Sequence, residues 1–291
     1  MGTSASQLLP ESALALLDQH FGGDARHAPA ELIEGSTNHV VRVRLQGASY
    51  AVRVPRINTA HLEINRRSEC AALDAAATAS VGPRVAACDP SSGVVVTHWI
   101  DGRTWTAERA HEAEAIREMA RVLRALHAIP TPKSVRSLAP LPLLGGYWRI
   151  LSGRPGPLNS RLASLHARVL ARASEAHRHP LALCHSDLHY HNLIENQRLW
   201  LLDWEYAGVT EPTYDLASFA QSNDLTSTEQ ELLLDAYGLP RADAPRFALH
   251  RLLFDWICVL WLAMVDAREG SSEGERLELL VRRVEAALES D

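Results

Sequence analysis

Residues 185–206 place the strongest constraint on how this 291-residue chain can fold. The stretch begins with the polar segment HSDLHYHN and ends with the polar segment DWEY. Two short apolar runs lie between them, separated by a turn at Asn196, so the pattern predicts a β-hairpin. Because a hairpin returns the chain to its start, Asp187, Asn192 and Asp203 are expected to converge at one end of it.

These three side chains offer two carboxylates and an amide oxygen. Mg²⁺ binds hard oxygen ligands of this kind, together with waters and substrate phosphates. Glu205 lies two residues after Asp203, and alternation along an extended backbone would place both carboxylates on the same side. The sequence therefore predicts a magnesium site formed by Asn192, Asp203 and Glu205.

The order His-x-Asp-x-x-x-x-Asn, an apolar strand and then Asp resembles the catalytic and metal loops of the protein kinase superfamily. Ser186 stands where protein kinases have Arg, and Asp-Trp-Glu at 203–205 stands where they have Asp-Phe-Gly. With the run 202–208 and the segment Tyr-Asp-Leu-Ala at 214–217, the chain is more similar to the small-molecule branch of the superfamily. That branch includes aminoglycoside phosphotransferases, choline and ethanolamine kinases, and thiamine kinases; the last two groups resemble this chain most.

The resemblance implies an α+β fold with the two lobes of a protein kinase. Residues 1–100 would form a small lobe with an antiparallel sheet, an N-terminal helix and a loop over the nucleotide. Residues 101–291 would form a larger, mostly helical lobe with the catalytic loop, the metal loop and the helices that contact the substrate. Alternation of apolar residues from 39 to 45, followed by a second apolar run at 50–54, independently indicates antiparallel strands.

The resemblance also implies roles for individual residues around the hairpin. Asp187 would orient the hydroxyl of the acceptor and accept its proton, while the three predicted metal ligands hold Mg²⁺. His185 would support the catalytic loop by packing. Asp215 would accept hydrogen bonds from the backbone of that loop.

A second group of residues would contact ATP. Arg53 stands where the superfamily usually has a strand Lys, and Glu69, on a helix predicted at 60–79, would pair with it. A small-residue loop before residue 39 would cover the phosphates, and adenine would bond to backbone where the sheet ends. An ordinary hairpin turn, a solvated Arg and a surface Glu are the structural alternatives. The implied nucleotide contacts are Ser36, Thr37, Asn38, Arg53, Glu69, His98 and Ile100.

The acceptor site is less well defined by the sequence. Choline kinases typically carry Trp-x-x-Trp on a late helix, where aromatic faces bind a quaternary ammonium group through cation–π attraction. Trp261 fits the second Trp and Cys258 occupies the first position, while Trp256 lies about 200° around the helix from Cys258. The cage is therefore incomplete, and core packing explains both tryptophans at least as well. The candidate substrate contacts are Trp256, Trp261, Tyr147 and Trp148, and the candidate partners of a cationic alcohol are Glu205, Glu211 and Asp255.

The predicted function is ATP- and Mg²⁺-dependent transfer of the γ-phosphoryl group to a small, cationic alcohol, with choline or ethanolamine favoured. Thiamine, an aminoglycoside or a sugar remain alternatives as acceptor. A metal-dependent hydrolase would explain the dense His and Asp residues, but it leaves Asn192, Asp203 and the pair of Arg53 with Glu69 unexplained. A non-catalytic pseudokinase scaffold would be expected to lack the base or a metal ligand, and none is missing.

Composition limits the partners and the compartment. A net charge of −6 argues against a nucleic-acid partner. The longest apolar run, 256–265, is too short to span a bilayer, and no signal-peptide pattern opens the chain. We therefore predict a cytoplasmic enzyme without a membrane partner, whose four cysteines are reduced thiols because they lack Cys-x-x-Cys spacing. The oligomeric state is not predicted.

Overall fold

The computed structural model describes residues 3–23, 25–33, 38–55, 64–138, 140–153, 157–174, 180–269 and 274–289. Its N-terminal part is built on a five-stranded antiparallel sheet, and its C-terminal part is mostly helical. The predicted α+β fold class is therefore confirmed. The division into lobes between residues 100 and 101 stays a prediction.

The sheet has the strand order β1-β2-β3-β5-β4. Its strands are β1 (Ala30–Ile33), β2 (Asn38–Leu45), β3 (Ala48–Pro55), β4 (Val85–Asp89) and β5 (Val94–His98). Val41, Val43 and Leu45 are buried on one face, as their alternation predicts. Arg53 on the central strand β3 is paired with Val40 on one side and with Val95 on the other, so its backbone position is fixed from both sides.

Helices cover both faces of this sheet. The short helices α1 (Ala5–Leu8) and α2 (Glu11–Phe21) pack on the face that contains Val41 and Val43. The helix α3 (Arg66–Thr78) instead shares a core with Val95 and with residues of the helical part. The side chain of Asn65 accepts a hydrogen bond from the backbone N–H of Ser68 (3.0 Å) and caps α3, so Glu69 lies in its first turn.

A disulfide links α3 to the sheet. Cys70 on α3 is bonded to Cys88 on β4, with Cα atoms 5.9 Å apart. The prediction of four reduced thiols is therefore wrong for this pair, although Cys184 and Cys258 are free. Spacing along the chain did not reveal the bond because the two residues become neighbours only when β4 returns beside α3.

The helical part begins after the short strand β6 (Arg103–Thr104). A single helix was predicted at 107–129, but a turn at His111 divides it into two helices. The helices are α4 (Ala107–Ala110), α5 (Ala113–His127), α6 (Pro140–Ser152), α7 (Pro157–Ser174), α8 (Pro212–Ser222), α9 (Ser227–Tyr237), α10 (Ala244–Glu269) and α11 (Gly274–Glu289).

The predicted hairpin is present within the helical part. It consists of β8 (Leu193–Glu195) and β9 (Leu199–Leu201), which pair in antiparallel fashion. β8 also pairs with β6, while β7 (Ala182–Cys184) pairs with β10 (Gly208–Thr210). The apolar side chains of the hairpin belong to the same core as α5 and α8, so its two polar ends are brought to one edge of that core.

The long helix α10 is the centre of a second core, which it forms with α6, α7 and α11. The segment 241–264 is long and apolar enough to cross a membrane by length and composition alone. However, 67% of its most apolar stretch is buried within the fold. Burial to this extent is typical of a helix that is apolar because other helices surround it.

Candidate active site

The polar segment before the hairpin is fixed by a buried carboxylate. Asp215, in the first turn of α8, accepts hydrogen bonds from the backbone N–H of His185 (2.9 Å) and of Ser186 (2.7 Å). Ser186 has a positive φ of 71°, a conformation that is unfavourable for residues with a side chain. The two hydrogen bonds stabilise this turn and hold the backbone of the loop in one conformation.

Two further side chains at α8 fix the rest of the loop. The Oγ of Ser218 accepts a hydrogen bond from the N–H of Leu188 at 3.0 Å, and the Oδ1 of Asn223 accepts one from the N–H of Tyr190 at 2.9 Å. The loop from 185 to 190 is thus bonded to α8 at both of its ends. Such dense side-chain support is typical of loops that must hold a reactive group in one orientation.

Asp215 also belongs to a cluster of three potential metal ligands. One atom each of His127, Cys184 and Asp215 lies within 4.8 Å of the others. However, His127 is already bonded to Asp215 through Nε2 (3.1 Å) and to Tyr237 through Nδ1 (2.9 Å). These bonds, together with the two backbone bonds to Asp215, give the cluster a structural explanation.

Asp187 lies in the middle of the loop, with 26% of its side chain exposed. The Nδ2 of Asn192 donates hydrogen bonds to the backbone oxygen of Asp187 (3.0 Å) and to its Oδ2 (3.2 Å). Burial, and then the negative charge of Glu205, raise the pKa of Asp187 to about 7, although the bond from Asn192 opposes this change. A group whose pKa lies near neutral pH is well suited to accept a proton from a reacting hydroxyl.

Hydrogen bonds connect the segments before and after the hairpin. The N–H of Leu202 donates to the carbonyl oxygen of Asn192 at 2.8 Å, and the Nε2 of buried His185 donates to the carbonyl oxygen of Leu202 at 2.8 Å. Burial lowers the pKa of His185 to about 4, so this imidazole is neutral at pH 7 and acts as a fixed donor. Asp203 follows with a positive φ of 59°, which Asp tolerates better than most residues. The convergence of the two polar segments is thus a property of the backbone.

Two arginines contact the carboxylates of the second segment. The Nη1 of Arg53 lies 3.0 Å from Asp203 Oδ1 and 3.0 Å from Glu205 Oε2, and its Nη2 bonds to Glu69 Oε1. The Nη1 of Arg66, the first residue of α3, lies 2.8 Å from Glu69 Oε2 and 3.2 Å from Glu205 Oε2. This charged cluster joins β3 and α3 of the N-terminal part to the segment after the hairpin.

Negative charge exceeds positive charge in this region. Burial raises the pKa of Asp203 and that of Glu205, and Asp203 adds to the rise at Glu205, while Arg53 lowers both. Carboxylates that are crowded and buried in this way fit a divalent cation, and the oxygen atoms of Asn192, Asp203 and Glu205 are suitable ligands for Mg²⁺. The described side chains involved are the carboxylates of Glu69, Asp187, Asp203 and Glu205 and the guanidinium groups of Arg53 and Arg66.

The residues predicted to cover the phosphates are described only in part. Ser36 and Thr37 lie outside the described residues. Asn38 begins β2, and its side-chain Nδ2 lies 3.3 Å from Asp203 Oδ2 and 3.4 Å from Glu205 Oε2. The sequence indicated a role for Asn38 in the phosphate loop, and it did not reveal this contact with the carboxylates.

The residues predicted to contact adenine lie where the sheet ends. His98 is the last residue of β5, and its backbone N–H donates to the carbonyl oxygen of Arg84 at 2.8 Å. Its ring packs against Tyr50, with ring centroids 5.0 Å apart. Ile100 follows two residues later and is half-buried. His98 therefore ends the sheet, and Ile100 lies on the connection to the helical part.

All four candidate aromatic residues lie in or against the second core. Trp256 is fully buried, and its Nε1 donates to Nδ1 of His166 at 3.1 Å. Tyr147 is 1% exposed, and half-buried Trp148 stacks on His166 with centroids 4.6 Å apart. The proposed contact of Trp256 with a substrate is at odds with this burial, which favours core packing.

Trp261 packs against the same core but also contacts the segment after the hairpin. It is half-buried, and its Nε1 donates a hydrogen bond to the hydroxyl of Tyr206 at 3.2 Å. Tyr206 directly follows Glu205, so this bond connects α10 to the charged segment after the hairpin. The sequence pattern included Tyr206 but did not indicate its contact with Trp261, because the two residues are 55 positions apart.

The carboxylates that were expected to attract a cationic alcohol are already paired. Glu211 bonds to Arg246 through both of its oxygens, and Asp255 bonds to Arg283 at 3.0 Å. Glu205 is paired with the two arginines described above. Each carboxylate therefore has a cationic partner within the protein, which weakens the expectation that they attract a cationic substrate.

Comparisons with known proteins identify the family and agree with the fold. The sequence profile of the phosphotransferase enzyme family matches residues 30–252 of this chain. Protein LicA of Haemophilus influenzae is 26% identical over 96% of this chain and 82% of that protein. A choline/ethanolamine kinase family protein from Mesorhizobium loti is 25% identical in sequence, with a TM-score of 0.75 over 96% of this chain and 94% of that chain. Choline kinase LicA from Streptococcus pneumoniae is 24% identical, with a TM-score of 0.74 over 90% and 94% of the two chains.

Proposed function

The chain belongs to the phosphotransferase enzyme family and is a kinase that transfers phosphate to an alcohol; from this premise we propose its cation and its acceptor. We propose that it requires Mg²⁺ and phosphorylates the hydroxyl of a small cationic alcohol, with choline or ethanolamine favoured. The resemblance that the sequence indicated is confirmed at the level of the family and of the kinase-like fold.

The observation that supports the mechanism best is the environment of Asp187. Its carboxylate is oriented by Asn192, and its pKa is raised to about 7. In the proposed reaction, Asp187 accepts a hydrogen bond from the acceptor hydroxyl and takes its proton as the oxygen attacks the γ-phosphorus. The bond between the γ-phosphorus and its bridging oxygen breaks, and ADP leaves.

The charged cluster would act on the phosphates. Arg53 would contact phosphate oxygens from the central strand, where backbone pairing on both sides fixes its position. Asn192, Asp203 and Glu205 are the residues that would hold Mg²⁺, which when bound neutralises phosphate oxygens. Catalysis in such a site comes mainly from positioning and from electrostatic stabilisation.

The preference for choline or ethanolamine is supported by the names of the similar proteins and by one aromatic contact. Trp261 and Tyr206 provide a wall of aromatic side chains next to the charged segment, and such a wall can bind a cation. Cys258 stands where a second tryptophan would complete a cage, and this favours thiamine, an aminoglycoside or a sugar as the second candidate. The pairing of the nearby carboxylates with arginines favours a neutral acceptor, which among these alternatives is a sugar.

An ATP-consumption screen tests both levels of the proposal. Choline, ethanolamine, thiamine, sugars and aminoglycosides are supplied with Mg²⁺ or with a chelator, and Asp187→Asn serves as the background. We expect turnover with choline or ethanolamine that the chelator abolishes. Turnover with thiamine or an aminoglycoside alone would reject the preferred acceptor, and equal activity in Asp187→Asn would remove Asp187 from the mechanism.

A further inference from the structure

We propose that Arg66 is a positioning residue for phosphoryl transfer. It holds Glu69 and Glu205 in place, so that Arg53 can turn towards the phosphates of ATP without leaving buried carboxylates unpaired. The inference rests on the proposed function, because it concerns the nucleotide side of the same site.

Arg66 has a defined position in the cluster. Its side chain is 12% exposed, and its Nη1 contacts both Glu69 Oε2 (2.8 Å) and Glu205 Oε2 (3.2 Å). Gly93, in the turn between β4 and β5, leaves space for this side chain, because a Cβ atom there would lie 3.0 Å from Arg66 Nε. Gly93 also has a positive φ of 73°, so both its conformation and its lack of a side chain suit this position.

The two arginines have two carboxylate partners in common, Glu69 and Glu205. Arg53 and Arg66 contact opposite oxygens of Glu69, and both contact Oε2 of Glu205. Arg53 additionally contacts Asp203. A turn of Arg53 towards phosphate would therefore weaken its contacts with carboxylates.

Arg66 would then remain as the cationic partner of Glu69. The side chain of Glu69 is only 2% exposed, and a buried carboxylate without a partner is strongly unfavourable. Arg66 lies on the same helical turn as Glu69, three residues away, so its contact does not depend on the position of β3. The sequence contains this spacing, which was the available signal for the role.

The second contact of Arg66 bears on the cation. Glu205 is a proposed ligand of Mg²⁺, and Arg66 restricts the orientation of its carboxylate. Groups that orient a metal ligand typically change metal affinity or activity by about 10- to 100-fold when they are removed. Loss of Arg66 should therefore appear as a higher requirement for Mg²⁺ and not only as a loss of stability.

The experiment compares Arg66→Ala and Arg66→Lys with Arg67→Ala, a matched control in which the adjacent, exposed arginine is removed. Binding of a non-hydrolysable ATP analogue is measured by calorimetry over a range of Mg²⁺ concentrations, and unfolding temperatures are measured in parallel. We expect Arg66→Ala to weaken Mg²⁺-dependent binding of the analogue by about 10- to 100-fold. Arg66→Lys should recover part of that loss, and Arg67→Ala should stay within about twofold of the wild type by the usual size of surface effects.

Other results would overturn the inference. If Arg66→Ala binds the analogue with the same affinity as Arg67→Ala, then Arg66 does not position the cluster. A loss in both Arg66 variants that is independent of Mg²⁺ and follows the fall in unfolding temperature would show that its role is only structural. Failure of the wild type itself to bind the analogue would overturn the proposed function first, and the inference with it.

Discussion

The proposed nucleotide side and the proposed acceptor side of the candidate site are built in different ways. On the nucleotide side, Arg53 contacts both Glu69 and Glu205 directly, although the three residues come from a strand, a helix and a loop. On the acceptor side, Trp261 reaches the site through Tyr206, whereas Trp256, on the same helix, is buried in the core. Ion pairs thus hold the first side together. On the second side, the orientation of α10 about its own axis determines which of its tryptophans reaches the site.

The largest expected effect comes from a change of Asp187, the residue that lies between the two sides. Asp187→Asn should lower kcat by about 10²- to 10⁴-fold, because the general base is lost while the surrounding bonds remain possible. The measurement is steady-state turnover with the acceptor found in the screen. Retention of more than a tenth of the activity would show that neither side depends on this carboxylate.

The same variant makes a prediction about stability. Folding raises the pKa of Asp187 from its ordinary value of 3.8 to about 7, so the folded state is weakened as the pH rises through this range. Asparagine removes that charge, and Asp187→Asn should unfold at a temperature equal to or higher than that of the wild type at pH 8. The difference should shrink towards pH 4, and a lower unfolding temperature at pH 8 would contradict the assignment.

Two tryptophan variants test the difference within α10. Trp256→Ala should destabilise the fold by about 3–5 kcal/mol, because it leaves a cavity in the core and removes the donor to His166. Trp261→Ala should instead raise KM for the acceptor by about 2- to 30-fold with a smaller change in stability. Denaturant unfolding and acceptor kinetics distinguish the two, and the reverse pattern would place Trp256 in the acceptor site.

The disulfide offers a test that is confined to the nucleotide side. Replacement of Cys70 and Cys88 together by Ser should lower the free energy of unfolding by about 2–4 kcal/mol, since the bond closes a loop across 18 positions. The affinity for ATP should fall with it, because α3 also carries Glu69, while KM for the acceptor should not change. An altered KM for the acceptor in the double variant would show that the two sides are coupled.

The last expected effect is a dependence of activity on pH. Because the pKa of Asp187 is raised to about 7, kcat/KM for the acceptor should fall about tenfold for each pH unit below that value. The profile is measured in buffers of constant ionic strength, with folding verified at each pH. A profile that stays flat down to pH 5 would mean that the free enzyme holds this carboxyl ionised, contrary to its burial.

The features of the fold that could be predicted from the sequence depend on local rules. A turn at Asn196 is sufficient to return Asp203 to the neighbourhood of Asn192, and alternation places the valines of β2 on one face. Thr226 and Glu229 form another local pattern, a capping box at the start of α9, and the structure contains both of its hydrogen bonds. In each case the residues that interact lie close together in the sequence.

The remaining features depend on contacts between distant segments. The helix α10 contains apolar residues around most of its surface, so its sequence did not reveal that Trp256 faces the core. The bond between Cys70 and Cys88 and the contact of Arg66 with Glu205 require the packing of α3 against other elements. Ion pairs and disulfides of this kind become visible only when the tertiary arrangement is known.

The attachment of residues 185–190 to α8 has a consequence for how such enzymes can change. The loop that presents Asp187 is bonded to Asp215, Ser218 and Asn223, whereas Trp261 belongs to α10. Exchange of the half-buried side chains of α10 near Trp261 therefore need not displace the proton acceptor. A combinatorial library at such positions could alter substrate choice while the chemistry is retained, which makes this architecture a suitable starting point for directed evolution.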